Sequence, residues 1–403
     1  MIVKSYIKEF ETLGFGMFVH FGIYSTYEQG EWYRHFCKMT QEEYETAMNR
    51  FRVRPDWARE LAKTAKAAGC KYITLTTRHH DGFSLYDTCG LNTYDAPHTP
   101  TRRDLVRDFV DACREEGLIP FFYHTLLDWH HPDYDTNFPS YLKYLRDSVE
   151  LLCKNYGKIG GIWFDGMWNK FDADWEEDAL YGLIRSYQPE CMIINNTGIG
   201  HRGQLGHIEL DSVTFECGRP KPINMEDSPK YIASEMCQTL NDHWGYAAYD
   251  LNYKPFATLL YELCISRRYH ANYLLNVGPM PDGSLRLIDQ GVFELFGRFM
   301  DRNREAIYRV HPYAATVDTE DDFILQSDDD PSVLYYFACH MGNDADQTRS
   351  FGLNGRITSA VWLDTGAVCD LKAEIGKLTL CTPPIGYGNQ PTVRIAKLTS
   401  EGM

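Results

Sequence analysis

The strongest constraint on how this chain can fold is a repeated alternation. Short segments that are apolar along both faces are each followed by an amphipathic helix, in units of roughly 40 residues. "FGMFVHFG" (15–22), "KYITLTT" (71–77), "LIPFFYHT" (118–125), "KIGGIWF" (158–164), "CMIINN" (191–196) and "ANYLLNVG" (271–278) read as strands. Helices are expected over 54–70, 101–117, 142–157, near 174–187, over 255–270 and over 285–308. The first has Pro55 near its start and Gly69 near its end. The second carries Leu105, Val106, Phe109, Val110 and Cys113 on one side. Strands apolar on both faces are parallel strands covered by helices. Residues 197–252 give few clear elements.

A doubly wound sheet and a (β/α) barrel both fit this order. The polar residues decide between them. His20, His79, His80, Asp81, His124, Asp165 and Asn195 fall at or just beyond C-terminal strand ends. A barrel collects its site from many such ends at one rim. No GxGxxG follows a strand and no GxxxxGK[ST] occurs, so the usual nucleotide reading of an open sheet has no support. Beyond Pro312 the period changes to two. "DFILQS", "SVLYYFACH", "RITSAVWLD", "KLTLCT" and "TVRIAKLTS" read as short antiparallel strands separated by Asp, Gly and Asn turns. The expected fold is α/β: an irregular (β/α) TIM-like barrel over 1–310, then a small antiparallel β-sandwich over 311–403. No internal repeat stands out.

Composition narrows the function. Lys and Arg number 40 against 56 Asp and Glu, a formal charge of −16 without a dense basic run, so no nucleic-acid partner is expected. No window approaches 18 uncharged apolar residues, so no membrane span is expected either. The 12 cysteines lie singly, without a CxxC pair. Scattered thiols suit a reducing compartment and argue against a zinc site built from them. The start, "MIVKSYIKEFETLGFGMF", lacks a positive segment followed by an apolar one, so a cytoplasmic protein is expected. Oligomeric state is not legible.

The residues that can carry chemistry cluster at the strand ends. Asp165 ends "KIGGIWFDG", held by a rigid strand between Trp163, Phe164 and a glycine. A bland reading makes it the cap of the next helix. His20, His79 and His80 share its rim. With Asp165 they could form a metal ligand set, but HxH and HExxH are absent, and no metal is expected. No GxSxG marks a serine nucleophile. Carboxylate chemistry remains, and glycoside hydrolysis needs two such groups, one to attack or hold water and one to protonate the leaving oxygen. Trp32, Trp129, Trp163, Trp168 and Trp244 lie in or near the rim loops, where indoles can stack on the apolar faces of sugar rings.

"GMFVHFGIYS", "GEWY", "YITLTTRHHDGFSLYD", "RRDLV", "LLDW", "GIWFDG", "TLNDHWGY" and "NYLLNVGPMPDG" follow one another over residues 14–285. In these motifs the chain resembles the α-L-fucosidases of glycoside hydrolase family 29. The resemblance implies a barrel followed by a sandwich, and removal of terminal α-L-fucose from an oligosaccharide or glycoconjugate glycan, with retention through a covalent glycosyl-enzyme. It implies no organic cofactor and no metal. It makes Asp165 the nucleophile. It assigns sugar binding to His20, Glu31, Trp32, His79, His80, Trp163 and either Tyr123 or His124. Two glutamates compete as acid/base: Glu216 in "DSVTFE", and Glu235 in "SEMC", where Ser234 replaces the family's tryptophan. A second departure is "INNTGIGHRG". Asn196 stands where an aspartate is expected and Thr197 where an arginine is expected, with Arg202 five residues later. "NDHWGY" is compatible with branched α1,3 or α1,4 fucosides. The alternatives are another retaining glycosidase, such as an α-L-galactosidase, or a non-enzymatic carbohydrate-binding protein.

Overall fold

The computed structural model describes all residues except 227, 318, 342–347, 354–355, 375–376, 382–390 and 402–403. Eight strands close a barrel: β1 (Phe15–Val19), β2 (Tyr72–Arg78), β3 (Ile119–Thr125), β4 (Gly161–Asp165), β5 (Met192–Asn195), β6 (Ser212–Thr214), β7 (Ala233–Thr239) and β8 (Ala271–Val277). Every neighbouring pair is parallel, and β8 returns to β1 with Phe15 opposite Tyr273. Helices cover the outside, among them Trp57–Ala68, Leu105–Glu115, Phe138–Asn155, Glu177–Tyr187, Phe256–Arg268 and Leu287–Asn303.

Alternate residues along the strands separate two cores. Phe18, Tyr72, Phe121, Tyr123, Trp163, Ile194, Cys237 and Leu274 pack in the barrel interior. Val19, Ile73, Phe122, Phe164, Ile193 and Leu275 belong to the outer core under the helices. Burial of each large apolar side chain contributes ~1.5–3 kcal/mol. A helix not expected from the sequence, Ser5–Thr12, sends Ile7 and Phe10 into the inner core where the strands begin. Phe10 lies 5.8 Å from the ring of Tyr72 and 5.7 Å from that of Phe121. That end is plugged, and the opposite, C-terminal rim is left for a site.

Two barrel strands escaped the sequence pattern. β6 has only three residues. β7 reads "ASEMCQT", and its inward positions include Glu235, so the apolar run by which a buried parallel strand is recognised is missing. Glu235 is tolerated inside because Tyr72 and Trp163 give its carboxyl two hydrogen bonds, at 2.5 and 3.0 Å.

The remaining strands are β9 (Val310–Tyr313), β10 (Thr316–Val317), β11 (Phe323–Ser327), β12 (Val333–Cys339), β13 (Thr348–Gly352), β14 (Arg356–Trp362), β15 (Asp370–Glu374), β16 (Lys377–Cys381) and β17 (Val393–Glu401). They form an antiparallel five-stranded sheet, β14-β17-β12-β11-β9, and a four-stranded one, β10-β13-β16-β15. Residue 382, which closes the expected strand "KLTLCT", lies outside the described residues. The five-stranded sheet is apolar on both faces. Phe323, Leu325, Tyr335, Phe337 and Ile395 join the core of the barrel's outer layer, while Ile324, Leu334, Tyr336, Ala396 and Leu398 face the second sheet. Buried Arg267 ties the barrel to the start of β9, donating to the carbonyls of Ala271, Glu11 and Val310. Among the described residues no helix is long and apolar enough to cross a membrane.

Candidate active site

The C-terminal rim opens on a cavity of about 700 Å³. Asp165 ends β4 on its inward side, and its main chain is held there by Leu126, whose N–H donates to the Asp165 carbonyl at 2.7 Å. Gly166 follows at φ +95°, and a Cβ on it would stand 2.6 Å from Leu127 Cβ and 2.8 Å from Leu127 N. Only a glycine fits so close an approach. It lets the chain turn in the left-handed region against the neighbouring loop.

Three side chains donate to the Asp165 carboxylate. Tyr123 Oη reaches Oδ2 at 3.1 Å, while Trp168 Nε1 and Asn196 Nδ2 reach Oδ1 at 3.3 and 3.2 Å. Burial raises the Asp165 pKa, and these bonds oppose the rise by stabilising the anion. The same Asn196 Nδ2 donates to Glu216 Oε2 at 2.8 Å. Asn196 Oδ1 accepts from Thr214 Oγ1 at 2.8 Å and from the Gly198 N–H at 3.3 Å, which fixes the amide's orientation. One NH2 group thus bridges both acids. The two bridged oxygens can be no further apart than the sum of its contacts, 3.2 Å plus 2.8 Å, or 6.0 Å. For this facing oxygen of each acid, the bound is compatible with the ~5–5.5 Å separation of carboxyl groups in retaining sites.

Glu216 lies two residues beyond β6. Its pKa is raised to about 7, first by burial and then by the charge of Asp165. The Asn196 bond and the nearby Arg202 guanidinium oppose that rise. Arg202 Nε also donates to the Glu216 carbonyl. The arginine displaced five residues along the sequence therefore returns to hold the main chain of this acid. Asn196, where an aspartate was expected, supplies two donors that a carboxylate could not.

The histidines are neutral. Burial lowers His20 and His80 to about 3 and moves His79 well below its ordinary value. His20 Nδ1 meets Asn276 Oδ1 at 2.7 Å, and the Asn276 NH2 donates to the Trp244 carbonyl. Nδ1 must then carry the proton, leaving His20 Nε2 as an acceptor. The same reasoning applies to His80. Thr125 Oγ1 donates to the Leu127 carbonyl, so it accepts from His80 Nδ1 at 2.7 Å. His80 Nε2, 3.5 Å from Asp165 Oδ2, is a bare acceptor beside the acid. Glu31 is buried, accepts the Gly245 N–H at 2.7 Å, and has its pKa raised by burial.

Of the residues expected here, His20, Glu31, Trp32, His79, His80, Tyr123, Trp163, Asp165 and Glu216 line the cavity. His124 and Glu235 do not. His124 alternates to the outer face of β3, where it contacts the Thr125 carbonyl and Tyr86 Oη. Glu235 lies beneath the cavity floor, 1% exposed, with its pKa raised to about 7 by burial. It accepts from Trp163 Nε1, and the Trp163 ring stacks on Tyr123 with centroids 5.5 Å apart. Trp129 packs behind Trp32 at 5.0 Å and does not line the cavity. Sequence reasoning treated Asn196 as a departure and gave it no function; its position one residue past a strand end was the available signal. Trp168, expected among the rim indoles, was not expected to donate to Asp165, three residues before it in the same loop. Among the described residues no group of three or more His, Cys, Asp or Glu side chains is disposed to hold a metal ion.

A parallel barrel carrying two bridged carboxyls, neutral imidazoles and indole walls at its C-terminal rim defines a glycoside hydrolase. The sequence profile of the α-L-fucosidases matches residues 3–305, and the chain belongs to that family, glycoside hydrolase family 29. Alpha-L-fucosidase isoenzyme 1 from Paenibacillus thiaminolyticus is similar over 98% of this chain and 99% of its own, at 32% identity and a TM-score of 0.85. The tissue alpha-L-fucosidase of Bos taurus is 29% identical over 337 residues, 75% of this chain and 69% of its own. An α-L-fucosidase from Bacteroides thetaiotaomicron, solved as a trapped covalent intermediate, shares the fold at 21% identity and a TM-score of 0.83, over 99% of this chain and 97% of its own.

Proposed function

We propose that this α-L-fucosidase is exo-acting and retaining, with Asp165 as nucleophile and Glu216 as acid/base. One Asp165 oxygen bonds to the anomeric carbon while the C1–O bond breaks. The leaving oxygen keeps that electron pair and takes the Glu216 proton. A water then attacks C1, gives its proton to Glu216 and releases Asp165 as carboxylate. The observation that carries this reading is the Asn196 amide, which holds one oxygen of each acid within 6.0 Å of the other, the sum of its 3.2 and 2.8 Å contacts. Two acids so close do not ionise together. Asp165, with three donors, ionises first, and its charge keeps the proton on Glu216. The sugar's hydroxyls meet His20, Glu31, His79 and His80, with Trp32, Tyr123 and Trp163 as walls. His124 is left out of this set. Glu235 acts through Trp163, whose indole it holds in the cavity floor.

The substrate is a terminal fucoside on an oligosaccharide or glycoconjugate glycan, with α1,3 and α1,4 branched linkages preferred. Residues 1–310 form the catalytic unit and 311–403 a sandwich that braces it. Eleven of the 12 cysteines, all but Cys381, are found as free thiols, which supports a reducing, cytoplasmic setting. A panel of α1,2, α1,3, α1,4 and α1,6 fucosides, with an aryl α-L-galactoside beside the aryl α-L-fucoside, tests the reading. Cleavage of fucosides above the galactoside, fastest at the branched linkages, is the expected result. Preference for the galactoside would overturn the sugar assignment, and binding without release of sugar would overturn the enzymatic one.

A further inference from the structure

On the reading that Glu216 protonates the leaving oxygen, the departing group must leave past Glu216, and the structure shows what stands there. The loop after β5 carries Asn196 on Glu216 and continues through Thr197, Gly198, Ile199 and Gly200, all of which line the cavity. No side chain in this stretch is charged. Arg202, which follows, is turned away onto the carbonyls of Glu216 and Cys217. Gly198 lies at φ +79°, and a Cβ there would approach the Trp168 indole to 3.3 Å, so the glycine brings the loop's backbone close to that ring. Trp168 is stacked on Trp32 at 6.1 Å and 20°. At the mouth, Ile199 is 60% and Phe36 75% exposed, and both side chains line the same cavity. Large apolar side chains left in water at the rim of an otherwise polar site mark a surface that a ligand covers.

We infer that Ile199, Phe36 and Trp168 form a leaving-group subsite for a neutral pyranose, which packs its apolar face against them. The stretch 197–200 offers no cation to an anionic group, and Asp242, which lines the same cavity, repels one, so an uncharged sugar is favoured over a sulfated or carboxylated one. Burial of the sugar's C–H face against these side chains replaces the hydrogen bonds that an arginine at position 197 would offer. The subsite should therefore act on the aglycone and leave the fucose ring's own contacts alone.

The test compares three substrates: α-L-fucosyl fluoride, whose leaving atom is too small to reach the subsite, an α-L-fucosyl-N-acetylglucosamine disaccharide, and the same disaccharide bearing a sulfate on the glucosamine. The variants are Ile199→Ser, Phe36→Ala and the double replacement. The double variant is expected to lose about tenfold or more in kcat/KM on the neutral disaccharide, chiefly through KM, against a much smaller change on the fluoride. The wild-type enzyme should prefer the neutral disaccharide to the sulfated one. Circular dichroism of each variant reports folding, so an equal loss on every substrate by a folded variant is a loss at the fucose ring and not at the subsite. Equal losses, an undiminished rate on the disaccharide, or a preference for the sulfated sugar would each overturn the subsite. Wild-type enzyme inert towards the fluoride would instead sink the fucosidase assignment on which the subsite rests.

Discussion

Glu216 and Glu235 stand on adjoining barrel segments, and both carboxyls are pushed up to about 7. Their surroundings differ completely. Glu216 is at the rim, sharing an amide with Asp165, and owes part of its shift to that neighbour's charge. Glu235 is in the barrel interior between Tyr72 and Trp163, and burial alone raises it. A raised pKa therefore identifies a buried acid, and only geometry separates a proton donor from a structural carboxyl.

Replacement separates the two most sharply. Glu216→Ala is expected to lower kcat/KM about 10²–10⁴-fold on a fucoside with a poor leaving group, and far less on the fluoride, which needs no acid. Glu235→Gln keeps an acceptor for Trp163 Nε1 and should change both substrates by under about tenfold. Steady-state kinetics on the pair of substrates decides the matter, and a reversal of the two patterns would exchange the roles.

The pH profile sharpens the contrast. Glu216 must be protonated for the first step, so kcat/KM should fall as pH rises through about 7. The Asn196 bond favours the Glu216 anion, so Asn196→Ala should move that limb to higher pH, whereas Glu235→Gln should leave it in place. Movement of the limb in the Glu235 variant would break the comparison.

Stability separates the two acids by a smaller effect of opposite character. The folded-state pKa of Glu235 is raised above its unfolded value of about 4.3, so the folded protein holds the proton more tightly. The resulting stabilisation is full below that unfolded value and is lost as pH rises through about 7. Glu235→Gln, neutral at every pH, should then melt at a higher temperature than the wild type above pH 7, with less difference near pH 5. Calorimetry at the two pH values reads this directly. Glu235→Leu, which leaves Tyr72 Oη and Trp163 Nε1 buried without their acceptor, should cost ~1–3 kcal/mol for each group.

Most of the barrel was legible because its strands are apolar on both faces, and the rim was legible because its polar residues follow strand ends. What escaped had physical causes. β6 is too short for any period to register, and β7 hides a carboxyl whose partners, Tyr72 and Trp163, come from strands distant in sequence. His124 was ambiguous with Tyr123 because adjacent strand residues face opposite sides, and only the register of β3 tells which is inward. The choice between Glu216 and Glu235 rests on Asn196, and an amide that bridges two acids has no signature in the chain before it folds.

The most direct measurement of the account is the anomeric configuration of the azide product. Azide enters where a carboxylate is removed, so Asp165→Gly should give β-L-fucosyl azide by one inversion. Glu216→Ala, which still forms the Asp165 ester, should give α-L-fucosyl azide by two. Proton NMR of the two products reads the configurations. Rescue of Glu235→Ala to the α-azide, with no rescue of Glu216→Ala, would contradict the assignment of the acid/base.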